Sequence, residues 1–395
     1  MRSRQAIAYV RHGVFPDRQQ ELVLRAALLE GAEAIAAYRT WRGTVDLSGN
    51  FDRTVFRLLP LLYSNLTALG VEDDLTSRLK GSFRLAWVAN QRVFERTRPI
   101  LEALLQAGFP VMALKGAPLA LRYYEAVATR PMSDVDLLIP EQNANAAQRV
   151  LANLGLKPYF ALDEDTLRFR HANLFTGPDQ FQFDLHWNVV PEFCGSSAEA
   201  AFWTTAEAFT FLDREILMPD PTRMLLHTLL HGVYWNAETP VRWVADAMCI
   251  FRRRSADIDW PWLTAFTERH RLSSRTWLGL SYLREHFAAP VPRETIERLA
   301  QMRLSLLERM EHSAYLRNDV DVYDSALGPL VDVAVPFSRY VTMKRPAWPV
   351  RDFFRYLRFR WELNGRRQIP LYLARGAYKR FIRRGMFRRG LQSVS

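Results

Sequence analysis

The chain has 395 residues, 49% of them hydrophobic and 24% charged, with a net charge of +11. It is long enough to bury a large core in two or three packed units. Two cysteines, Cys194 and Cys249, exclude a disulfide framework, and no apolar run is long enough to span a bilayer.

The N-terminal stretch MRSRQAIAYVRHGVFPDRQQ carries charge and lacks the sustained apolar core of a secretory signal, so a soluble, cytoplasmic protein is expected. From about residue 20 to 108, Leu, Ala, Arg and Phe recur at helical spacing with few prolines. LVLRAALLEG, TVFRLLPLLYSNLTAL and the long run ending in LLQAG predict a helical unit over 1–108, closed by Gly108. Residues 109–220 mix short strands with helices. PVMAL, DVDLLIP, LFTG, FQFDLHW and REILMP are the predicted strands, and NANAAQRVLANLG is a helix ended by Gly155. Pro221 is suited to the first turn of a helix, and 221–340 reads as a second helical unit. The expected fold class is α+β, a small mixed sheet flanked by N- and C-terminal helical units.

The remaining segment, 341–395, holds the charge. It has 15 Lys and Arg against Asp352 and Glu362, a net +13, which leaves −2 for residues 1–340. RDFFRYLRFRW and YKRFIRRGMFRR interleave those cations with aromatics. The favoured reading is a helical extension that packs its aromatics on the body and solvates its arginines. Docking on an anionic membrane surface, which would make the protein peripheral, comes second, and nucleic-acid binding third.

The segment LKGAPLALRYYEAVATRPMSDVDLLIP, 114–140, carries the chemistry. Asp134 and Asp136 are two apart in an apolar run, so alternation along a strand puts both carboxylates on one face. Such a pair calls for a cation, and a hard divalent ion takes oxygen ligands while a substrate phosphate completes its shell. Upstream, Gly116 permits a backbone turn toward an anion and Lys115 adds a point charge for phosphate. A third acid, Asp184, sits in the strand-like FQFDLHW, 48 residues after Asp136. Three acids on neighbouring strands can hold two metal ions.

LKG, RPMSDVDLLI and DLHW together resemble the uncharacterised nucleotidyltransferase family of the DNA polymerase beta-like superfamily, over about residues 20–340, with RWVADA included. The resemblance implies that Gly116 is the turn glycine, Asp134 and Asp136 the metal pair, and Asp184 the third acid. Lys115, Arg130, His186 and Trp187 match positions of the family's own motif. Three features depart from it: the turn is Gly116-Ala117 without a serine, the interval from Gly116 to Asp134 is 18 residues, and the third acid is Asp where the subgroup usually has Glu.

By that resemblance the protein is expected to move a nucleoside monophosphate from a nucleoside triphosphate to an acceptor with release of pyrophosphate. Two Mg²⁺ ions, or Mn²⁺ in their place, would lie at Asp134, Asp136 and Asp184, and Lys115, Gly116 and Arg130 would hold phosphate. Arg130 could equally pair with Asp134 or Asp136. His186 and Trp187 are expected to line the site. The acceptor is left open among small-molecule, lipid-linked and peptide classes. A protein-adenylylating regulator and a catalytically silent nucleotide-binding protein are the alternatives. In the following helices His227 and His231 share a face four residues apart, and Arg242 and Asp246 are spaced for a helical ion pair. These four read as a polar network over the catalytic unit, with His231 and Arg242 as candidate substrate contacts.

Overall fold

The computed structural model describes residues 14–45, 53–161, 163–178, 181–194, 197–234, 241–305, 308–309, 337, 349–363 and 365–375. The fold is α+β. Among the described residues, five helices come first: α1 (Arg18–Leu28), α2 (Gly31–Arg42), α3 (Arg53–Phe56), α4 (Leu59–Ala68) and α5 (Thr76–Gln106). Asp17 opens α1 with a reciprocal cap: its carboxylate accepts from the Gln20 amide at 2.9 Å and its own amide donates to the Gln20 side chain at 3.0 Å. The 31-residue α5 is about 46 Å long at 1.5 Å per residue. Its buried residues Val93, Phe94, Thr97, Ile100, Leu101 and Leu104 recur at helical spacing and face the sheet.

Among the described residues, seven strands form one mixed sheet in the order β3-β4-β5-β2-β1-β7-β6. They are β1 (Met112–Leu114), β2 (Asp136–Leu138), β3 (Lys157–Pro158), β4 (Ala172–Thr176), β5 (Gln182–His186), β6 (Glu207–Phe211) and β7 (Arg214–Met218). Between β1 and β2 a short turn α6 (Gly116–Pro118) runs into a wide π-type turn, Leu119–Tyr123. Helices α7 (Ala144–Asn153), α8 (Glu164–Phe169) and α9 (Ala200–Thr204) fill the other connections. All five strands predicted from the sequence are present. β3 and β6 are additions.

Alternation along the strands sends side chains into two cores. Ala113, Val135, Leu137, Ile139, Phe183, Leu185 and Trp187 pack with α5 and α7. Met112, Leu114 and Leu138 point the other way, into a core completed by α1, α4, α10 (Pro221–Gly232), α11 (Arg242–Arg254) and α13 (Ser273–Phe287). α12 (Trp260–Arg269) and α14 (Arg293–Gln301) flank them. The helices before the sheet and those after it therefore share a core, and Arg25 of α1 donates to the His286 carbonyl of α13 at 2.8 Å.

Pro221 opens α10 as expected, with the Asp220 carboxylate accepting from the Thr222 and Arg223 amides. The first part of the basic tail forms α15 (Pro349–Arg360). It lies on α8, where Arg355 pairs with Glu164 at 3.2 Å and with Asp165, and Arg168 pairs with Asp352. Phe169 meets Tyr356 edge to face at 5.2 Å. Aromatic packing on the body is thus found for this stretch, while YKRFIRRGMFRR and the N-terminal residues 1–13 lie outside the described residues. Among the described residues, no helix is long and apolar enough to cross a membrane.

Candidate active site

Parallel pairing of β2 with β5 sets Asp136 directly opposite Asp184, and Leu138 opposite His186. All four side chains leave the sheet on one face, because the intervening Leu137 and Leu185 enter the opposite core. The result is a cluster of Asp136, Asp184 and His186 whose donor atoms lie within 4.8 Å of one another. His186 Nε2 stands 3.0 Å from Asp136 Oδ1. Asp134 is two residues short of the strand, half-buried, with its carboxylate accepting from the Ser133 hydroxyl at 3.2 Å. The strand begins at Asp136, so Asp134 stands beside the cluster and not within it.

The three acids feel one another. Burial raises Asp134, and the charge of Asp136 adds to the effect. Burial also pushes Asp184 up to about 6, against the lowering effect of His186. Asp136 behaves oppositely. Its burial would raise it, but the Lys115 ammonium and His186 together hold it well below the usual carboxylate range.

Lys115 Nζ reaches Asp136 Oδ1 at 3.1 Å, the same oxygen that faces His186. The residue sits at φ +36°, ψ −98°, a conformation L side chains rarely adopt, at the sharp turn between β1 and α6. At Gly116 a Cβ would come within 3.2 Å of Met132 Sδ and 3.5 Å of Arg130 Nη1, so its lack of a side chain lets β1 and the loop before β2 close together.

Arg130 pairs with neither Asp134 nor Asp136. Its guanidinium forks onto Asp246 of α11 at 2.8 and 2.9 Å, and Tyr124 donates to the same carboxylate at 2.7 Å. This corrects two expectations. The planar fork of a phosphate ligand is already filled by a carboxylate, and Asp246 is not the helical partner of Arg242. Arg242 instead donates to the Pro131 carbonyl. Burial and repulsion from Arg130 lower its pKa to about 10. A half-buried guanidinium bonded to a carbonyl, close enough to Asp134 and His231 to shift both, is suited to a ligand anion.

Trp187 does not line the site. It is fully buried in the opposite core, and its indole N–H donates to the Arg170 carbonyl at 2.8 Å. Alternation in DLHW explains why: His186 shares the face of Asp184, while Trp187 takes the other. His227 and His231 of α10 have ring centroids 6.4 Å apart, and both feel the charges of Lys115 and Asp136. His227 is buried, and neither ring nitrogen has a partner among the described residues. The charge of Lys115 is the main influence on His231 and lowers its pKa well below the ordinary value.

One contributor was missed in the sequence. Asn90, fully buried on α5, donates to the Val127 carbonyl at 2.7 Å and the Arg130 carbonyl at 3.0 Å, and accepts from the Met132 amide at 2.8 Å. It clamps the loop that delivers Asp134 and Asp136. Its only signal was an amide on the apolar stripe of a helix.

Residues 54–288 match the model of a family described as uncharacterised nucleotidyltransferase, and that span covers more than half of the chain. None of the curated proteins matches the chain.

Proposed function

The chain belongs to the uncharacterised nucleotidyltransferase family, and from that premise we propose that it transfers a nucleoside monophosphate from a nucleoside triphosphate to an acceptor at Asp136 and Asp184. The observation that carries this is the register: two carboxylates directly opposite on parallel strands, with the Lys115 ammonium on one of them. The donor set fits a divalent cation, since three liganding side chains converge within 4.8 Å and Asp136 is already held by a cationic group. Asp136 and Asp184 would hold it, with Asp134 beside them; the family likeness points to two Mg²⁺ ions. Such a cation neutralises charge on the triphosphate and makes the attacking oxygen a better nucleophile.

The side chains supply the rest. The acceptor oxygen attacks the α-phosphorus, the bond from that phosphorus to the bridging oxygen breaks, and pyrophosphate leaves. Asp184, whose carboxyl burial raises to about 6, takes the acceptor's proton. Lys115, freed from Asp136 once the triphosphate is seated, carries its charge to the β- and γ-phosphates. Arg242 takes the phosphate role first considered for Arg130, which braces the loop. Holding and neutralising the reactants provides most of the rate in phosphoryl chemistry, so loss of one acid is severe.

Asp136→Asn should abolish pyrophosphate release from all four common nucleoside triphosphates while leaving circular dichroism unchanged. Undiminished release from that variant would sink the assignment.

A further inference from the structure

We propose that the cation seated at the Asp136–Asp184 pair is a first-row transition-metal ion of the Mn²⁺ to Co²⁺ kind, taken in preference to Mg²⁺ because His186 Nε2 is one of its ligands. The inference rests on the proposed transferase site and adds the class of ion that it accepts. Three observations carry it.

First, the cluster that converges is two carboxylates and one imidazole, and Asp134 is outside it. Mg²⁺ seeks oxygen ligands and gives up water reluctantly, whereas an imidazole nitrogen raises affinity along the series from Mn²⁺ to Co²⁺ and beyond. Second, the imidazole is aimed. Strand alternation puts His186 on the face of Asp184, and its Nε2 stands 3.0 Å from Asp136 Oδ1. Behind it, Nδ1 lies 3.4 Å from the Asn188 carbonyl, and the His171 ring meets it edge to face at 5.3 Å. A ring nitrogen turned toward a backbone carbonyl is the arrangement that leaves the other nitrogen free to ligate. Third, a buried polar group that feels the charges of the cluster is unanswered. His227 is fully buried with neither ring nitrogen partnered among the described residues, and its foremost charged neighbours are Lys115, His231 and Asp136. A cation with bound water would give that imidazole a partner.

The test uses the full-length chain with manganese(II) chloride alone, without nucleotide, read by pulsed electron paramagnetic resonance and by competition with magnesium. The wild type should show bound Mn²⁺ with nitrogen modulation from a coordinated imidazole. It should also bind Mn²⁺ at least about tenfold more tightly than Mg²⁺, the lower end of what ligand-sphere changes cost in metal affinity. His186→Gln should lose both the modulation and the preference, and His186→Asp, an all-oxygen set, should move the preference toward Mg²⁺. Modulation that persists in His186→Gln, bound Mn²⁺ without modulation in the wild type, or equal affinity for the two ions overturns the inference, as does failure to bind Mn²⁺. Should His186→Gln not fold, the wild-type modulation and ion preference decide. Magnesium-dependent pyrophosphate release without nitrogen-ligated Mn²⁺ would remove this inference and leave the transferase reading. Nitrogen-ligated Mn²⁺ with no release from any triphosphate would do the reverse.

Discussion

Arg130 and Asp246, 116 residues apart in sequence, meet through two hydrogen bonds of 2.8 and 2.9 Å with both side chains buried. The pair ties the loop before β2 to α11, and so ties the acids to the helices above them. Removing one partner strands the other charge, which costs about 3–5 kcal/mol, whereas replacing both with apolar residues costs much less. Asp246→Ala should therefore lower the denaturation midpoint far more than Arg130→Met combined with Asp246→Leu. Equal losses would show that the pair does not brace the fold.

Lys115 combines a needed ammonium with a disfavoured backbone. Its φ of +36° should cost about 1–3 kcal/mol in a residue with a Cβ, and glycine escapes that cost. Lys115→Gly should thus be more stable than Lys115→Ala by about 1 kcal/mol, while both lose triphosphate affinity equally. Thermal unfolding and nucleotide calorimetry on the two variants check this. Greater stability of the alanine variant would refute the strain argument.

Asn90 makes three hydrogen bonds to one loop. Asn90→Leu keeps the volume but strands two carbonyls and an amide, so a loss of about 3 kcal/mol is expected, at roughly 1 kcal/mol or more for each buried group left unpaired. Turnover should also fall at temperatures where the variant is fully folded, because the loop delivers Asp134 and Asp136. Stability within about 1 kcal/mol of the wild type would refute the clamp.

Glu199 provides the pH test. Burial pushes its carboxyl up to about 8, and the Val189 amide, which it accepts at 2.9 Å, only partly opposes that. The folded chain then keeps a proton that the unfolded chain releases near 4.5. Stability should fall as pH rises from 4.5 toward 8 and level off above it. Glu199→Gln should flatten this slope and be the more stable protein at pH 8, by about 1–3 kcal/mol. A wild-type profile that is flat from pH 5 to 8 contradicts the assignment.

Much of the fold was legible because period and punctuation agree in it. β1, β2, β4, β5 and β7 are short apolar runs between turn residues, and α7 ends at a glycine as its sequence indicates. β6 escaped because its hairpin turn is Leu212-Asp213, with φ of +54° and +62° at two residues other than glycine or asparagine. In the site, Asp136 and Asp184 were visible as isolated acids in apolar strands. The place of His186 was equally available from alternation, since it is two residues after Asp184. The partner of Arg130 was not, because a contact spanning 116 residues leaves no local periodicity. The nearer spacing of Arg242 and Asp246 pointed to the wrong pair.

β4 ends at Thr176 and β5 begins at Gln182, and between them the Gly177 amide donates to the Phe181 carbonyl at 2.8 Å. In a strand with a two-residue period, adding or removing one residue there would turn Asp184 and His186 into the apolar core and bring Phe183 and Leu185 to the polar face. Such a change alters no side chain, yet it is equivalent to deleting both groups at once. The length of this hairpin is therefore as much a part of the chemistry as the residues it presents.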